Sequence, residues 1–348
     1  MIDLNRRTIV SGILGSSALS CFPGISIAQP RPNKITVTSY GGVWEKAIRE
    51  TFVADFVKRT GVQADIQLGN PNQWMSQAEA SPEKPPIDVI VTSVELALEA
   101  GRKGLLEKIS VEKVPNLRDV PEMFSKMCEG WGCCFDYGAG GIAYHKGRVK
   151  NPPKSLKEFV DRTAKGEWRA SLPTVTFQPA MQLLLWSLND VYGGKVDDIG
   201  PALAAVKRMR KNTIFWSSVT DFLNHLESGE ADIGLYYDGR VWAHYDTGAT
   251  WIDFINPQEG AVMTAIAAVK PKNSPQIAWE YINSMLAPGP QAAFAEQLFF
   301  GMTNKNTRYS DKVKSRITPW EKTRVPPVDI MGKHLGTWVE RWNKEVGA

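Results

Sequence analysis

The feature that most limits the fold is an alternation of strand and helix signals that runs along the chain and starts afresh midway. Ile35-Thr-Val-Thr-Ser39 reads as a strand, ended by the turn Tyr40-Gly41-Gly42. Trp44, Ile48, Phe52 and Phe56 then recur every four residues and mark an amphipathic helix, with Gly61 as its C-terminal cap. Val62, Ala64, Ile66 and Leu68 alternate as a second strand. Residues 82–86 are a loop; 87–91 form a short buried strand ending at Thr92-Ser93, and a helix begins near Val94. Past the cysteine segment 128–134 the pattern restarts with a strand over 141–145 and a capping box at Ser155-Leu-Lys-Glu158. It continues with a strand over 168–172, helices over 179–192 and 201–210, a helix capped at Ser218-Val-Thr-Asp221, and a strand over 231–237. Strands over 251–255 and 261–269 follow, then helices from Ser274-Pro275 and over 288–298, and a mostly helical remainder. This predicts an α/β fold with a largely parallel sheet. The 348 residues suit two compact lobes rather than one.

The start of the chain carries an export signal. Arg6-Arg7 precede a weakly apolar stretch over 8–19, and the small-residue site Ser26-Ile27-Ala28 follows. This is the layout of a cleavable leader, with cleavage expected after about Ala28 and a periplasmic destination. The arginine pair fits a twin-arginine leader, and an ordinary secretory leader fits as well. The formal charge of +4 is small and dispersed, which argues against nucleic acid as a partner. A monomer is expected.

Reaction chemistry leaves no trace in the sequence. A nucleophile elbow, a P-loop, a dinucleotide fingerprint and a zinc-protease motif are all absent. His145, His225, His244 and His334 are scattered, and no cofactor or metal set is expected. The chain is therefore expected not to be an enzyme. In an oxidising compartment Cys128 would pair with Cys133 or Cys134, leaving one thiol odd.

A set of short motifs recurs in order: Ser39-Tyr-Gly-Gly-Val-Trp44, Phe56 with Thr60-Gly61, Ile87-Asp-Val-Ile-Val-Thr-Ser93 and Tyr137-Gly-Ala-Gly-Gly-Ile-Ala-Tyr144, then Gly234-Leu-Tyr-Tyr-Asp-Gly239, Phe254-Ile-Asn-Pro-Gln-Glu-Gly260 and Gly301-Met-Thr-Asn304. Through them residues 34–310 resemble the spermidine/putrescine-type solute-binding proteins of ABC importers. The resemblance implies a two-lobed, type II periplasmic-binding-protein-like fold, a two-strand hinge and a ligand cleft between the lobes. Lobe one would comprise 29–141 plus about 264–307, and lobe two 142–263 plus about 308–348. The implied partners are a small-molecule ligand and an inner-membrane permease. Tyr40, Trp44, Ser93, Glu95, Tyr137, Tyr237 and Phe300 are expected to line the cleft, several of them at strand C-termini where open α/β sheets bind ligands.

The implied polyamine chemistry does not carry over. Polyamine-binding relatives hold amino groups with carboxylates, and the matching positions here are Gln178, Met181 and Ile266, with Thr264 in place of a tryptophan. Burying an unpaired ammonium costs several kcal/mol, more than the roughly 2 kcal/mol a cation–π contact returns. Glu95 and Asp238 can take one amine, and Arg240 can take one carboxylate in a bidentate fork. The expectation is a small zwitterion, a monoamine or an amino-acid derivative. The alternatives are ferric ion held by Tyr236 and Tyr237, or a sensory or enzymatic protein on the same fold.

Overall fold

The computed structural model describes residues 32–347, apart from 176 and 178–180. The leader and Gln178 lie outside the described residues. Strands β1 (Lys34–Ser39) and β2 (Gln63–Leu68) pair in parallel. Between them, Val43–Ile48, a π-helical turn Arg49–Val53 and Ala54–Thr60 form one continuous helical run. Its expected stripe, Trp44, Ile48, Phe52 and Phe56, is buried. Gly61 ends the run at φ 73°, a left-handed conformation in which a side chain would be strained. The next strand, β3 (Ile90–Ser93), starts later than expected, because Val89 makes only an isolated bridge to Val37.

The remaining strands are β4 (Cys133–His145), β5 (Ala170–Pro173), β6 (Thr213–Trp216), β7 (Ile233–Tyr237), β8 (Ile252–Ile255), β9 (Ala261–Val269), β10 (Gly301–Met302) and β11 (Thr323–Arg324). Among the described residues, nine strands join one mixed sheet with the path β11-β9-β4-β7-β5-β6; β3 lies on β9, and β8 and β10 lie on β4. β5, β6 and β7 are parallel, as the alternation predicts, while β4 runs antiparallel to all four of its neighbours. β4 extends well upstream of the expected 141–145. Its glycines are strand residues pressed from both sides. A Cβ on Gly140 would fall 2.6 Å from Leu183, and one on Gly141 2.7 Å from the Ile255 carbonyl oxygen.

The apolar interior falls into two clusters. The first takes residues from 35–137 and 263–313, the second from 142–262 and 331–342. β4 and β9 contribute to both: Phe135 and Tyr137 to the first and Ile142 and Ala143 to the second; Ala267 and Val269 to the first and Val262 to the second. The tail is less helical than expected. It runs through short helices Asp311–Lys314 and Val328–Met331 before the helix Leu335–Glu345, which sinks Trp338 and Trp342 into the second cluster. Arg324 fastens it: its guanidinium donates to the Gly260 carbonyl at 3.0 Å and to Ser187 Oγ at 2.9 Å, and it pairs with Asp190 at 2.6 Å.

Ser218 and Asp221 complete a reciprocal capping box. At the other expected box, Ser155 caps Glu158, but Glu158 returns its bond to the Lys154 N–H at 2.8 Å. The expected disulfide is not formed: Cys128, Cys133 and Cys134 are buried free thiols.

Two buried charges pin the long strands. Lys270, fully buried just past β9, is bound by Glu107 at 2.6 Å. Burial pushes Glu107 up, but the hydrogen bonds from Lys113 and Lys270 outweigh it and hold the carboxyl at about 2. Asp238 is buried where the second cluster meets β4. Its carboxylate accepts from the N–H groups of Ala139 at 2.9 Å, Gly239 at 2.7 Å and Thr318 at 3.4 Å, tying β4, a helix start and the tail together.

Glu107→Ala strands the buried Lys270 ammonium and is expected to cost about 3 kcal/mol in urea unfolding; replacing Lys270 with Met in the same chain recovers most of the loss. An unchanged single variant would show that the pair does not hold the strand end. For Asp238, burial lifts the pKa to about 6 in spite of the three N–H donors. A group raised in the folded state contributes stability below its unfolded pKa, near 4, and loses it as pH rises through about 6. The stability advantage of wild type over Asp238→Asn therefore shrinks from pH 4 to 6.5; an advantage that widens contradicts the assignment.

Candidate ligand-binding site

Gly42, at φ 69°, lets the chain turn from β1 straight into the following helix. That turn sets Tyr40 beside Trp44, ring centroids 5.3 Å apart and edge-on, with Trp74 behind it at 5.7 Å. Trp44 lies edge-on to Phe300 at 5.0 Å. Two glycines make room for the Phe300 ring: a Cβ on Gly138 or on Gly239 would come within 3.1 Å of it. Tyr40, Trp44 and Phe300 thus form one aromatic group, which meets β4 and the start of the helix Asp238–Asp246. The Trp44 indole N–H and the Tyr237 hydroxyl are buried without hydrogen-bond partners.

Charged groups gather around these rings. Ser93 ends β3, and Glu95 sits in the first turn of the helix Val94–Arg102. Glu95 accepts a hydrogen bond from Gln182, in the π-helical turn Gln182–Trp186. Residues of the Glu95 helix belong to the first cluster and those of the Gln182 turn to the second, so this bond joins the two. Burial raises the Glu95 pKa. Arg240 is half-buried and, among the described residues, makes no hydrogen bond or ion pair. Burial raises the hydroxyl pKa values of Tyr40, Tyr236 and Tyr237, and the Arg240 charge draws all three back down.

Two expected residues have other work. Tyr137 turns inward: it stacks on Phe124 at 5.3 Å and covers Gly301, where a Cβ would meet its ring at 2.1 Å. It is a core residue because it faces Phe124, while its neighbour Gly138 faces Phe300 on the other side of β4. Asp238 is likewise corrected from a ligand carboxylate to the backbone clamp described above, its oxygens already occupied. The tyrosine pair of the ferric reading also separates. Tyr236 stacks on Phe222 at 4.1 Å and its hydroxyl already donates to the Val219 carbonyl at 2.6 Å, though its ring stays 5.8 Å from that of Tyr237. Among the described residues no group of three or more His, Cys, Asp or Glu is placed to hold a metal ion. Ser171 and His225 lie 2.9 Å apart, but Ser171 is fully buried in β5 and cannot meet a substrate.

Sequence reasoning missed Trp74 and Asp136. Asp136 is hidden in the apolar run Cys133-Cys-Phe-Asp-Tyr137, and only the even–odd alternation shared with Gly138 could have assigned its face. The arrangement can hold a small organic molecule against aromatic rings, with a guanidinium for an anionic group and carboxyl groups for a cationic one.

Comparison with known proteins agrees with this architecture. The pattern of the family described as bacterial extracellular solute-binding protein matches residues 51–318. The thiamine-binding periplasmic protein of Salmonella typhimurium is 30% identical over 167 residues, 46% of this chain and 47% of its own length. The thiamine-binding periplasmic protein of Escherichia coli is 32% identical over 227 residues, 61% of this chain and 63% of its own. The chain thus spans about half to three fifths of the length of these relatives. The crystal structure of an extracellular solute-binding protein from Bordetella parapertussis superposes with a TM-score of 0.81 at 28% identity, covering 90% of this chain and 99% of that one. With its mixed α/β sheet, its two cores and a family pattern that spans most of its length, this chain belongs to the bacterial extracellular solute-binding proteins.

Proposed function

We propose that this chain is the substrate-binding component of an ABC importer, exported to the periplasm with its leader removed near Ala28. It works as a monomer, captures a small organic solute and delivers it to an inner-membrane permease. It binds and does not catalyse. Its two lobes are 29–141 with about 264–307, and 142–263 with about 308–348, joined by β4 and β9. Ligand touches both lobes and closes them, to the extent that it prefers the closed state. The Glu95–Gln182 bond is one of the closing contacts.

The observation that carries the ligand class is Arg240, a half-buried guanidinium without a partner among the described residues, beside Tyr40 and Tyr237. A half-buried cation seeks an anion, and a guanidinium matches a carboxylate in a bidentate fork. With a carboxyl at Glu95 and the aromatic group of Tyr40, Trp44 and Phe300, the site suits a small zwitterion such as an amino-acid derivative. The relatives' names favour a second reading, thiamine, an aromatic cation that would use the rings and leave Arg240 idle.

Calorimetric titration of the mature protein with amino acids, opines, monoamines, polyamines and thiamine decides between them. A zwitterion is expected to bind at micromolar strength, and Arg240→Ala to weaken it about 100-fold, or about 2.7 kcal/mol. Thiamine binding that is indifferent to Arg240→Ala establishes the second reading instead. Terminal sequencing of the periplasmic protein is expected to start at Gln29, and an intact Met1 would remove the export assignment.

A further inference from the structure

Asp136 stands apart from the other buried ionic groups of the chain. Lys270 has Glu107, and Asp238 has three backbone donors. Asp136 is completely buried, and neither carboxyl oxygen has a hydrogen-bond partner. The Ile266 N–H across the strand pair comes near without meeting hydrogen-bond geometry. A carboxyl group kept in this state costs stability, and folding alone gives no reason for it.

Its position says where it points. Ser93, Ile266 and Asp136 are consecutive cross-strand partners on β3, β9 and β4, and partners in antiparallel strands share a face. Two residues further along the same face is Gly138, which lies against Phe300 and Thr264. Tyr40 is near enough for the Asp136 charge to raise its hydroxyl pKa. Asp136 therefore lies on the strand face that carries Ser93, beneath the rings of the candidate site, and Arg240 faces Tyr40 as well.

We infer that Asp136 receives the cationic end of the bound solute, a primary ammonium. The inference rests on the zwitterion reading above and supplies its second anchor. A primary ammonium has three N–H donors, enough for both open oxygens, and the rings of Tyr40, Trp44 and Phe300 add cation–π attraction. A cation without N–H donors leaves both oxygens unsatisfied. Opening of the lobes admits the solute to this floor, and closing seals it there. The titratable groups facing Asp136 are Tyr40 and, on its own strand, Cys134; burial raises the pKa of Tyr40, and Cys134 is raised first by its neighbour Cys128 and then by burial, so both stay neutral at pH 7. Burial also raises the carboxyl itself, and a bound ammonium favours its charged form.

The test uses n-butylammonium chloride on the mature protein at pH 7.5, against sodium chloride at equal ionic strength. Wild type is expected to melt a few degrees higher in butylammonium, and Asp136→Asn to lose that shift. No shift in wild type, or an equal shift in Asp136→Asn, overturns the inference. Should Asp136→Asn fail to fold, wild type decides alone: tetramethylammonium chloride, a cation without N–H donors, is expected to leave the melting temperature unmoved, and a shift equal to that of butylammonium refutes the role. A zwitterion that binds wild type and Asp136→Asn alike defeats this inference and leaves the binding-protein reading intact. An Asp136-dependent butylammonium shift alongside a silent zwitterion panel keeps the ammonium site and defeats the zwitterion reading.

Discussion

The antiparallel pairing of β4 with β9 is the interaction on which the rest of the molecule depends. It runs from Cys133 opposite Ala268 to Gly140 opposite Val262, with one irregularity between Cys134 and Asp136. β3 and β11 hang on β9, and β7, β8 and β10 hang on β4. Each of the two strands changes core partway along its length. Any motion of one core against the other is thus taken up by the backbone of this pair. A bulge lets a strand bend and twist at a defined place, and here it falls directly before Asp136.

The polar groups near this pair divide by how they are satisfied. At the Val269 end Lys270 meets Glu107, and at the β7 end Asp238 collects three N–H groups. These are fixed points, complete in themselves. Among the described residues, the Trp44 N–H, the Tyr237 hydroxyl, the Asp136 carboxyl and the Arg240 guanidinium are groups that other side chains and the backbone do not complete. Rigid satisfied clamps flank a stretch that is left polar and open, which is how a fold gives a ligand contacts without competing for them.

Much of this was legible in the sequence. The apolar stripe from Trp44 to Phe56, the left-handed Gly61, the Ser218 cap and β9 all follow from local periodicity and turn chemistry, and the structure has them. Of the expected cleft residues, Tyr40, Trp44 and Phe300 form one aromatic group. What failed did so for reasons of packing. Glycines in β4 serve close approach by Leu183 and Phe300, and a rule that equates glycine with loop misses that. Tyr137 and Asp238 are aromatic and acidic in the right neighbourhood, but their rotation about the strand and their backbone partners are set by residues far away, Gly301 and Thr318. Asp136 could be weighed only once register placed it beside Ile266.

The way the cores are divided along the chain has a kinetic consequence. The first core is not whole until residues near Val313 are present, and the second waits for Trp342. Neither half can finish early, since each is closed by sequence that arrives last. Topologies dominated by such distant pairings fold slowly. A growing chain of this kind completes neither core until nearly all of it exists.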